Sequence, residues 1–266
     1  MKAVRIALRA LPAPLAIRLL LRVSGRVPPL AVSEEAKAAF SEATKTGFGP
    51  GARIPAWVWG DGPAVLLVHG YGGRAAQMAP LARNLAAQGY RCVAPDITGH
   101  GDTPGRVRWS WFLRDIADVA AELGGPLHGA IGHSAGGLTM MEARRSGALA
   151  AERFVCVCAP SHPFPPVRRV KAVLDPPERI VDRYRDYLAS EFATTWPELE
   201  AGRAFSGAES ELLLVYEERD RFIPISEAHL LKTVCPEASL VITNGYGHER
   251  ILGAPELEQA ICRHLA

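Results

Sequence analysis

The segment GAIGHSAGGLT, residues 129–139, places Ser134 between Gly132 and Gly136 at the end of an apolar run. A serine hydroxyl acts as a nucleophile when a neighbouring base takes its proton and an acid orients that base. The same letters are also typical of a tight Gly/Ser turn without chemistry. The flanking elements, and the supply of a base and an acid, therefore decide between the two interpretations.

His248 is the histidine best placed to act as the base. It lies in the Gly-rich segment NGYGHERIL, between the last predicted strand and the last predicted helix. A loop in that place reaches the carboxyl edge of a sheet, where a serine that follows a strand also lies. His229 lies in the helical segment SEAHLLKTV and His264 in the last helix, where packing or solvation explains them.

Asp220 is the predicted acid, because the acid is expected between the serine and the histidine along the chain. The segment ELLLVYEERD predicts a strand that ends at Asp220, and Pro224 is expected to begin the next helix. Glu217 and Glu218 are the alternatives. Consecutive strand side chains point to opposite faces, so the two glutamates cannot both reach one cleft, and neither is expected to end the strand.

Two backbone N–H groups, those of Tyr71 and Ala135, are the predicted donors to a negatively charged oxygen. Ala135 directly follows the serine. Tyr71 lies in the loop after the apolar run AVLLVHG, among Gly70, Gly72 and Gly73. Glycines allow a loop backbone to come close to a substrate, so this pair predicts an oxyanion hole.

The same loop supports a second interpretation. Residues 70–75 read Gly-Tyr-Gly-Gly-Arg-Ala, which matches the G-x-G-x-x-A pattern of dinucleotide-binding proteins, and Asp96 ends the next apolar run. On this loop alone the two interpretations are evenly balanced. The dinucleotide interpretation, however, leaves Ser134, Asp220 and His248 as coincidences at three strand ends.

Alternating strand and helix patterns supply the elements that would hold these residues. Apolar runs predict strands at RIPAWVWG, AVLLVHG, RCVAPDI, LHGAIGHS, RFVCVCAP, ELLLVYEERD and SLVITN. Helical periodicity predicts helices at residues 75–88, 110–123, 135–147, 224–235 and 250–265. This order predicts an α/β fold with a mostly parallel, doubly wound sheet and helices on both faces. Ser134 then lies at a strand-to-helix turn, which favours the nucleophile.

Two features depart from this alternation. Only DGP separates RIPAWVWG from AVLLVHG, which is too short for a parallel crossover, so these two strands are predicted to pair antiparallel. Residues from about 160 to 207 are rich in proline, arginine and aromatic side chains. They predict an insertion with helices of its own.

The first 33 residues contain no acid and carry a charge of +6, from Lys2, Arg5, Arg9, Arg18, Arg22 and Arg26. Because the net charge of the chain is +2, the remainder carries −4. Pro12 and Pro14 divide the segment into two short amphipathic pieces. Two interpretations stay open: peripheral contact with a membrane, or packing on the body of the protein, which we favour. We predict an N-terminal segment and lead-in at 1–51 and an α/β domain at 52–266.

Composition excludes several classes of protein. A net charge of +2 argues against nucleic acid as the main partner. The five cysteines form no C-x-x-C pair, which argues against a disulfide framework or a zinc site and predicts free thiols in a reducing, cytoplasmic compartment. No apolar run approaches the ~18 residues of a membrane-spanning helix.

Over nearly all of residues 52–266 the sequence resembles α/β-hydrolase fold proteins. The resemblance runs through LLVHGYGG, DITGHGDTPG, GHSAGG, ERDRFIP and GYGHERIL, and is strongest to bacterial single-domain serine hydrolases of the esterase/lipase type. It implies a nucleophile at Ser134, an acid at Asp220, a base at His248 and oxyanion donors at Tyr71 and Ala135.

The resemblance also implies a substrate class. A carboxylic ester or thioester of a small molecule is expected to acylate the serine and then to be hydrolysed, with no metal or organic cofactor. An acyltransferase or a C–C hydrolase with the same three residues stays an alternative, as does a binding protein without activity. The insertion at about 160–207 corresponds to the family's cap, and Asp96 and His100 to a loop that is mostly structural.

Overall fold

The computed structural model describes residues 2–24 and 31–266, so Arg26 lies outside the described residues. The strands of this part are β1 (Thr44–Phe48), β2 (Ile54–Trp59), β3 (Ala64–Val68), β4 (Arg91–Pro95), β5 (Leu127–His133), β6 (Ala151–Val157), β7 (Leu212–Glu217) and β8 (Ser239–Thr243). They form one sheet in the order β1-β2-β4-β3-β5-β6-β7-β8. β2 runs antiparallel to both of its neighbours, and the remaining pairs are parallel.

Helices cover both faces of the sheet. They are α1 (Lys2–Ala10), α2 (Ala13–Ser24), α3 (Glu34–Ser41), α4 (Ala75–Ala87), α5 (Trp109–Leu123), α6 (Ala135–Arg145), α7 (Phe164–Leu174), α8 (Glu178–Glu191), α9 (Trp196–Glu200), α10 (Ser226–Val234), α11 (Gly247–Arg250) and α12 (Pro255–Leu265). Leu66 and Val68 of β3 lie in the core with α5 and α6, whereas Val65 and Leu67 lie in the core with α4 and α12. This confirms the predicted doubly wound α/β fold.

The predicted pairing of β2 with β3 is wrong, because β4 lies between them. β2 pairs antiparallel with β4 (Ala56 opposite Pro95), and β3 pairs parallel with the other edge of β4. The short link after β2 has to cross only about two strand spacings, ~10 Å, which a few extended residues can span. It passes the start of β4 so closely that a Cβ at Gly62 would lie 1.8 Å from the carbonyl oxygen of Gly89.

The sheet begins before residue 52, where the α/β domain was predicted to start. β1 pairs antiparallel with β2, with Thr46 opposite Ala56. Its sequence, TKTGF, is mostly polar, and only Phe48 is buried. An edge strand of this kind has no apolar alternation that sequence analysis can detect.

Two helix boundaries also differ from the predictions. The helix predicted at 250–265 is divided into α11, a 3₁₀ turn at Ile251–Gly253, and α12, which begins at Pro255. Proline lacks the N–H that a continuing helix needs and suits the first helical position. α10 begins at Ser226 and not at Pro224. The carbonyl of Pro224 instead accepts a hydrogen bond from the N–H of Glu227.

The insertion forms α7, α8 and α9, and the two N-terminal helices pack on it. Leu8 of α1 and Leu20 of α2 are fully buried. The guanidinium of Arg5 donates to the carbonyl of Val173 at 2.8 Å, and Arg9 forms an ion pair with Asp175 at 2.7 Å. The N-terminal helices therefore bind the end of α7 and also cover part of the hydrophobic core. In the described residues no helix is both long and apolar enough to cross a membrane.

This packing predicts different results for two leucines of α2. Leu20→Ala is expected to lower the free energy of unfolding by ~2–4 kcal/mol, because it leaves a cavity under the cap. Leu15→Ala, at a side chain that is 47% exposed, is expected to change it by less than ~0.5 kcal/mol. Urea unfolding of both variants checks the prediction, and equal losses would contradict it.

Candidate active site

Ser134 lies at a sharp turn between β5 and α6. Its backbone has φ +53° and ψ −122°, an uncommon conformation for a residue with a side chain, and its N–H donates to the carbonyl of Val157 at 2.8 Å. A Cβ at Gly136 would lie 2.4 Å from the carbonyl oxygen of Val68, and one at Gly132 would lie 2.5 Å from Cα of Gly137. Both glycines are therefore required by close backbone contacts around the serine.

Asp220 and His248 are brought together by the turn after β7 and the loop after β8. His248 Nδ1 lies 2.5 Å from one carboxylate oxygen of Asp220, and the other oxygen accepts the N–H groups of Phe222 at 2.7 Å and Ile223 at 3.0 Å. The Asp220 side chain is fully buried and that of His248 is 12% exposed. Burial alone would raise the pKa of Asp220, but these hydrogen bonds outweigh it and lower that pKa.

The structure corrects the expected strand end. β7 ends at Glu217, and Asp220 lies three residues beyond it in the turn. The buried carboxylate of Glu217 accepts the hydroxyl of Thr243 at 2.8 Å and the N–H of Gly245 at 2.7 Å. Burial opposes ionisation of Glu217, yet these bonds lower its pKa. Glu217 thus anchors the start of the loop that carries His248.

Glu218 has a different partner. Its side chain is exposed and accepts a hydrogen bond from the amide of Asn244 at 2.5 Å. Both glutamates therefore bond to the segment that precedes His248, whereas the imidazole itself bonds to Asp220. The reason is geometric: the sheet ends at Glu217, and only after the chain has turned can a carboxylate face the histidine loop.

The loop after β3 lies against the serine. A Cβ at Gly70 would be 3.0 Å from Cβ of Ser134. The ring of Tyr71 stacks on Trp109 with centroids 6.4 Å apart, and burial raises the pKa of Tyr71 to about 12. Ala135 is the first residue of α6, where backbone N–H groups have no partner within the helix. The predicted donor residues thus flank Ser134 from two elements.

The carboxylate of Asp96 links the end of this loop to the loop that follows β4. One oxygen of its carboxylate accepts the N–H of Ala75 at 2.6 Å, and the other accepts the N–H of Asp102 at 2.6 Å. A Cβ at Gly101, where φ is +51°, would lie 1.7 Å from a carboxylate oxygen of Asp96. One oxygen therefore bonds to the backbone at the start of α4 and the other to the loop after β4, whereas the dinucleotide interpretation requires this carboxylate to bind a ribose.

His133 makes a contact that sequence analysis did not predict. Its Nε2 donates to the carbonyl of His248 at 2.8 Å, and the two imidazole rings lie 4.8 Å apart. Burial first, and His248 second, lower the pKa of His133 to about 3. This neutral histidine ties the end of β5, next to Ser134, to the loop that carries His248. Its position beside the serine was the only signal in the sequence.

Two further histidines lie outside this cluster. His229 is exposed on α10, and His264 Nε2 bonds to the carbonyl of Glu211 at 3.0 Å near the end of α12. This agrees with the expectation that packing or solvation explains them. All five cysteines are free thiols, as predicted; four are buried, and Cys262 is partly buried.

Three buried histidines near the site predict how stability depends on pH. Burial lowers the pKa of His69 to about 4 and that of His100 and His133 to about 3. The unfolded chain takes up these protons near pH 6.5, whereas the folded chain does not, so acid favours unfolding. We expect the free energy of unfolding to fall from about pH 6.5 towards pH 4, by up to ~1.4 kcal/mol per pH unit for each histidine.

Urea midpoints measured between about pH 7 and pH 5 check this expectation. His100→Gln is expected to make the fall in stability with pH shallower, because it removes one of these buried histidines. A stability that rises as the pH falls below 6.5 would contradict the prediction.

The sequence of this chain is similar to a known protein family and to a known protein. Residues 65–260 match the family described as "Alpha/beta hydrolase family". The magnesium-chelatase 30 kDa subunit of Rhodobacter capsulatus is 34% identical over 86 residues, which are 31% of this chain and 30% of that protein. The chain therefore spans less than a third of that relative's length.

Solved structures share the fold at low identity. A thioesterase domain from the curacin biosynthetic pathway and a 2-hydroxy-6-oxo-6-phenylhexa-2,4-dienoate hydrolase from Rhodococcus sp. strain RHA1 each align with a TM-score of 0.60 and 20% identity, over 84% of this chain and 98% of theirs. A monoacylglycerol lipase from Paleococcus ferrophilus aligns with the same score and identity over 80% of this chain and 98% of its own. At this identity the likeness concerns the fold.

Proposed function

Because the chain belongs to the alpha/beta hydrolase family, we propose that it is a serine hydrolase that cleaves a carboxylic ester or thioester through an acyl-enzyme. The observation that carries the proposal is the pairing of Asp220 with His248 at 2.5 Å, in a cluster that includes the loop of Ser134. An imidazole oriented by a carboxylate, and tied through His133 to the turn of a strained serine, supports acyl transfer.

The proposed reaction begins with attack of the Ser134 hydroxyl oxygen on the carbonyl carbon. His248 takes the serine proton at Nε2, the nitrogen that is not bonded to Asp220, and gives it to the leaving alcohol or thiol. Asp220 holds the tautomer with the proton on Nδ1 and stabilises the imidazolium. Water, activated by the same histidine, then hydrolyses the acyl-enzyme and restores Ser134.

The developing negative charge needs donors that are already in place. In the proposed mechanism the N–H groups of Tyr71 and Ala135 bind the oxyanion. Two observations support this assignment: Ala135 begins α6, whose N-terminal dipole favours negative charge, and the loop of Tyr71 contacts the serine through Gly70. A fixed donor of this kind contributes roughly 3–4 kcal/mol to stabilisation of the transition state.

Four other functions compete with this proposal. An acyltransferase and a C–C hydrolase would use the same residues with another acceptor or another scissile bond. A binding protein on this fold would not need the close Asp220–His248 pair, which is why we favour an enzyme. A dinucleotide-binding protein is disfavoured because the Asp96 carboxylate already bonds to two backbone N–H groups.

A panel of substrates tests the proposal. p-Nitrophenyl esters of increasing acyl length are compared with acyl-CoA thioesters, each with water alone and with added alcohol or amine acceptors. Hydrolysis of at least one series, with a burst of p-nitrophenol equal to the enzyme concentration, is the expected result. Activity that appears only with an acceptor would identify an acyltransferase, and no turnover in any arm would overturn the proposal.

The outward faces of the N-terminal helices support peripheral contact with an anionic membrane as part of this proposal. Ile6 is 60% exposed and Leu15 is 47% exposed, and Arg5, Arg18 and Arg22 are exposed beside them. Apolar side chains flanked by cations are typical of helices that bind such surfaces. Sedimentation with phosphatidylserine vesicles, compared with phosphatidylcholine vesicles, tests it: a chain that stays in the supernatant with both would exclude this contact.

A further inference from the structure

A third side chain with metal-binding chemistry lies at the centre of the site. Cys158 directly follows β6, in a backbone conformation with φ +46° that is rare for a residue with a side chain. The side chain is fully buried. Its Sγ, a carboxylate oxygen of Asp220 and a ring nitrogen of His248 all lie within 4.8 Å of one another.

We propose that Cys158, Asp220 and His248 form an inhibitory binding site for Zn²⁺ and similar divalent ions that prefer thiolate and imidazole ligands. A thiolate, an imidazole nitrogen and a carboxylate are the three ligand types that zinc takes in proteins, and a fourth tetrahedral position remains for water. The site would bring together ligands from the ends of three neighbouring strands, β6, β7 and β8.

The geometry requires only a small rearrangement. Zinc binds sulfur at ~2.3 Å and nitrogen or oxygen at ~2.0–2.2 Å, so tetrahedral ligands lie roughly 3.3–3.7 Å apart. The Sγ atom lies within 4.8 Å of the other two ligand atoms, so it has to move closer by up to roughly 1 Å. The Asp220 oxygen and His248 Nδ1, now 2.5 Å apart, must separate by roughly 1 Å, which breaks their hydrogen bond.

Binding of zinc at this site moves protons only, and it needs no oxidant or reductant. The Cys158 thiol loses its proton to solvent as the Zn–S bond forms. His248 exchanges its Nδ1 proton for the metal and carries one proton on Nε2 instead. The carboxylate of Asp220 binds the metal in place of that N–H. The proton of the Cys158 thiol is therefore the one proton released for each Zn²⁺ bound.

Inhibition follows from the tautomer. The proposed mechanism needs a lone pair on His248 Nε2 to take the serine proton, and zinc at Nδ1 places a proton on Nε2. The metal also removes the hydrogen bond by which Asp220 orients the ring. The inhibitory effect therefore rests on the proposed function, whereas the binding of the metal does not.

Spectroscopy tests the binding independently of activity. Titration of the 266-residue chain with Co²⁺, a spectroscopic substitute for Zn²⁺, is expected to give a thiolate-to-cobalt charge-transfer band that Zn²⁺ removes. Cys158→Ser is expected to abolish the band, and Cys156→Ser to keep it, because the Cys156 thiol points to the carbonyl of Gly137 at 4.0 Å. His248→Gln, which keeps the thiol, is expected to weaken Co²⁺ binding at least tenfold.

Kinetics test the inhibition. Zn²⁺ is expected to inhibit p-nitrophenyl ester hydrolysis, and EDTA to restore it. Cys158→Ser is expected to raise the Zn²⁺ concentration for half-inhibition at least tenfold relative to Cys156→Ser. A charge-transfer band in wild type with no turnover of any ester or thioester of the panel would leave the metal site standing and overturn the proposed function. Absence of the band, its persistence in Cys158→Ser, or unchanged zinc sensitivity in Cys158→Ser would overturn the metal site.

Discussion

Replacement of Ser134 by alanine is expected to lower kcat by roughly 10⁴- to 10⁶-fold while the protein stays folded. The variant removes only the hydroxyl oxygen that would form the acyl-enzyme. Its backbone at φ +53° is held by the close contacts of Gly132 and Gly136, and alanine accepts the same strain as serine. Hydrolysis of a p-nitrophenyl ester by both proteins measures the effect.

Ser161 provides the matched control. It is fully buried, and its hydroxyl lies 2.8 Å from Nδ1 of His162, so it is a serine that contacts a histidine. We expect Ser161→Ala to retain at least a tenth of the activity, because the described structure gives His162 no carboxylate hydrogen bond like that of His248. A fluorophosphonate probe is expected to label wild type and Ser161→Ala but not Ser134→Ala. Equal labelling of Ser134→Ala and wild type would exclude Ser134 as the nucleophile.

Replacement of Asp220 by asparagine is expected to cost up to roughly 10⁴-fold in kcat. The amide oxygen can still accept the N–H groups of Phe222 and Ile223, so the turn is kept. The amide NH₂ group then faces His248 Nδ1 and requires a lone pair there. That tautomer carries its proton on Nε2 and cannot take the serine proton.

The two neighbouring glutamates give graded controls for this prediction. Glu218→Gln is expected to retain nearly full activity, because its exposed side chain bonds only to Asn244 in the described structure. Glu217→Gln is expected to fall between the two, since its buried carboxylate bonds to Thr243 and Gly245, at the start of the loop that carries His248. If Glu218→Gln lost as much activity as Asp220→Asn, the assignment of the acid would be wrong.

The sequence alone determined the features that depend on neighbours along the chain. The apolar runs and helical periods predicted the parallel sheet and its two helical layers, because burial on both faces requires continuous apolar strands. Gly132, Ser134 and Gly136 predicted the turn between β5 and α6, because side chains at the glycines would collide with adjacent backbone. These predictions concern local sterics and burial, which a short stretch of residues expresses by itself.

Only the tertiary structure decided which distant residues meet. It placed β4 between β2 and β3, and it ended β7 at Glu217, so that Asp220 reaches His248 from a turn and not from a strand. It also placed His133 and Cys158 beside His248. The spacing of the cysteines along the chain argued against a zinc site, but it carries no information on whether a cysteine lies beside a histidine and a carboxylate. The carboxyl ends of parallel strands converge at one edge whatever the length of chain between them, and the folded sheet alone sets which of those ends are neighbours.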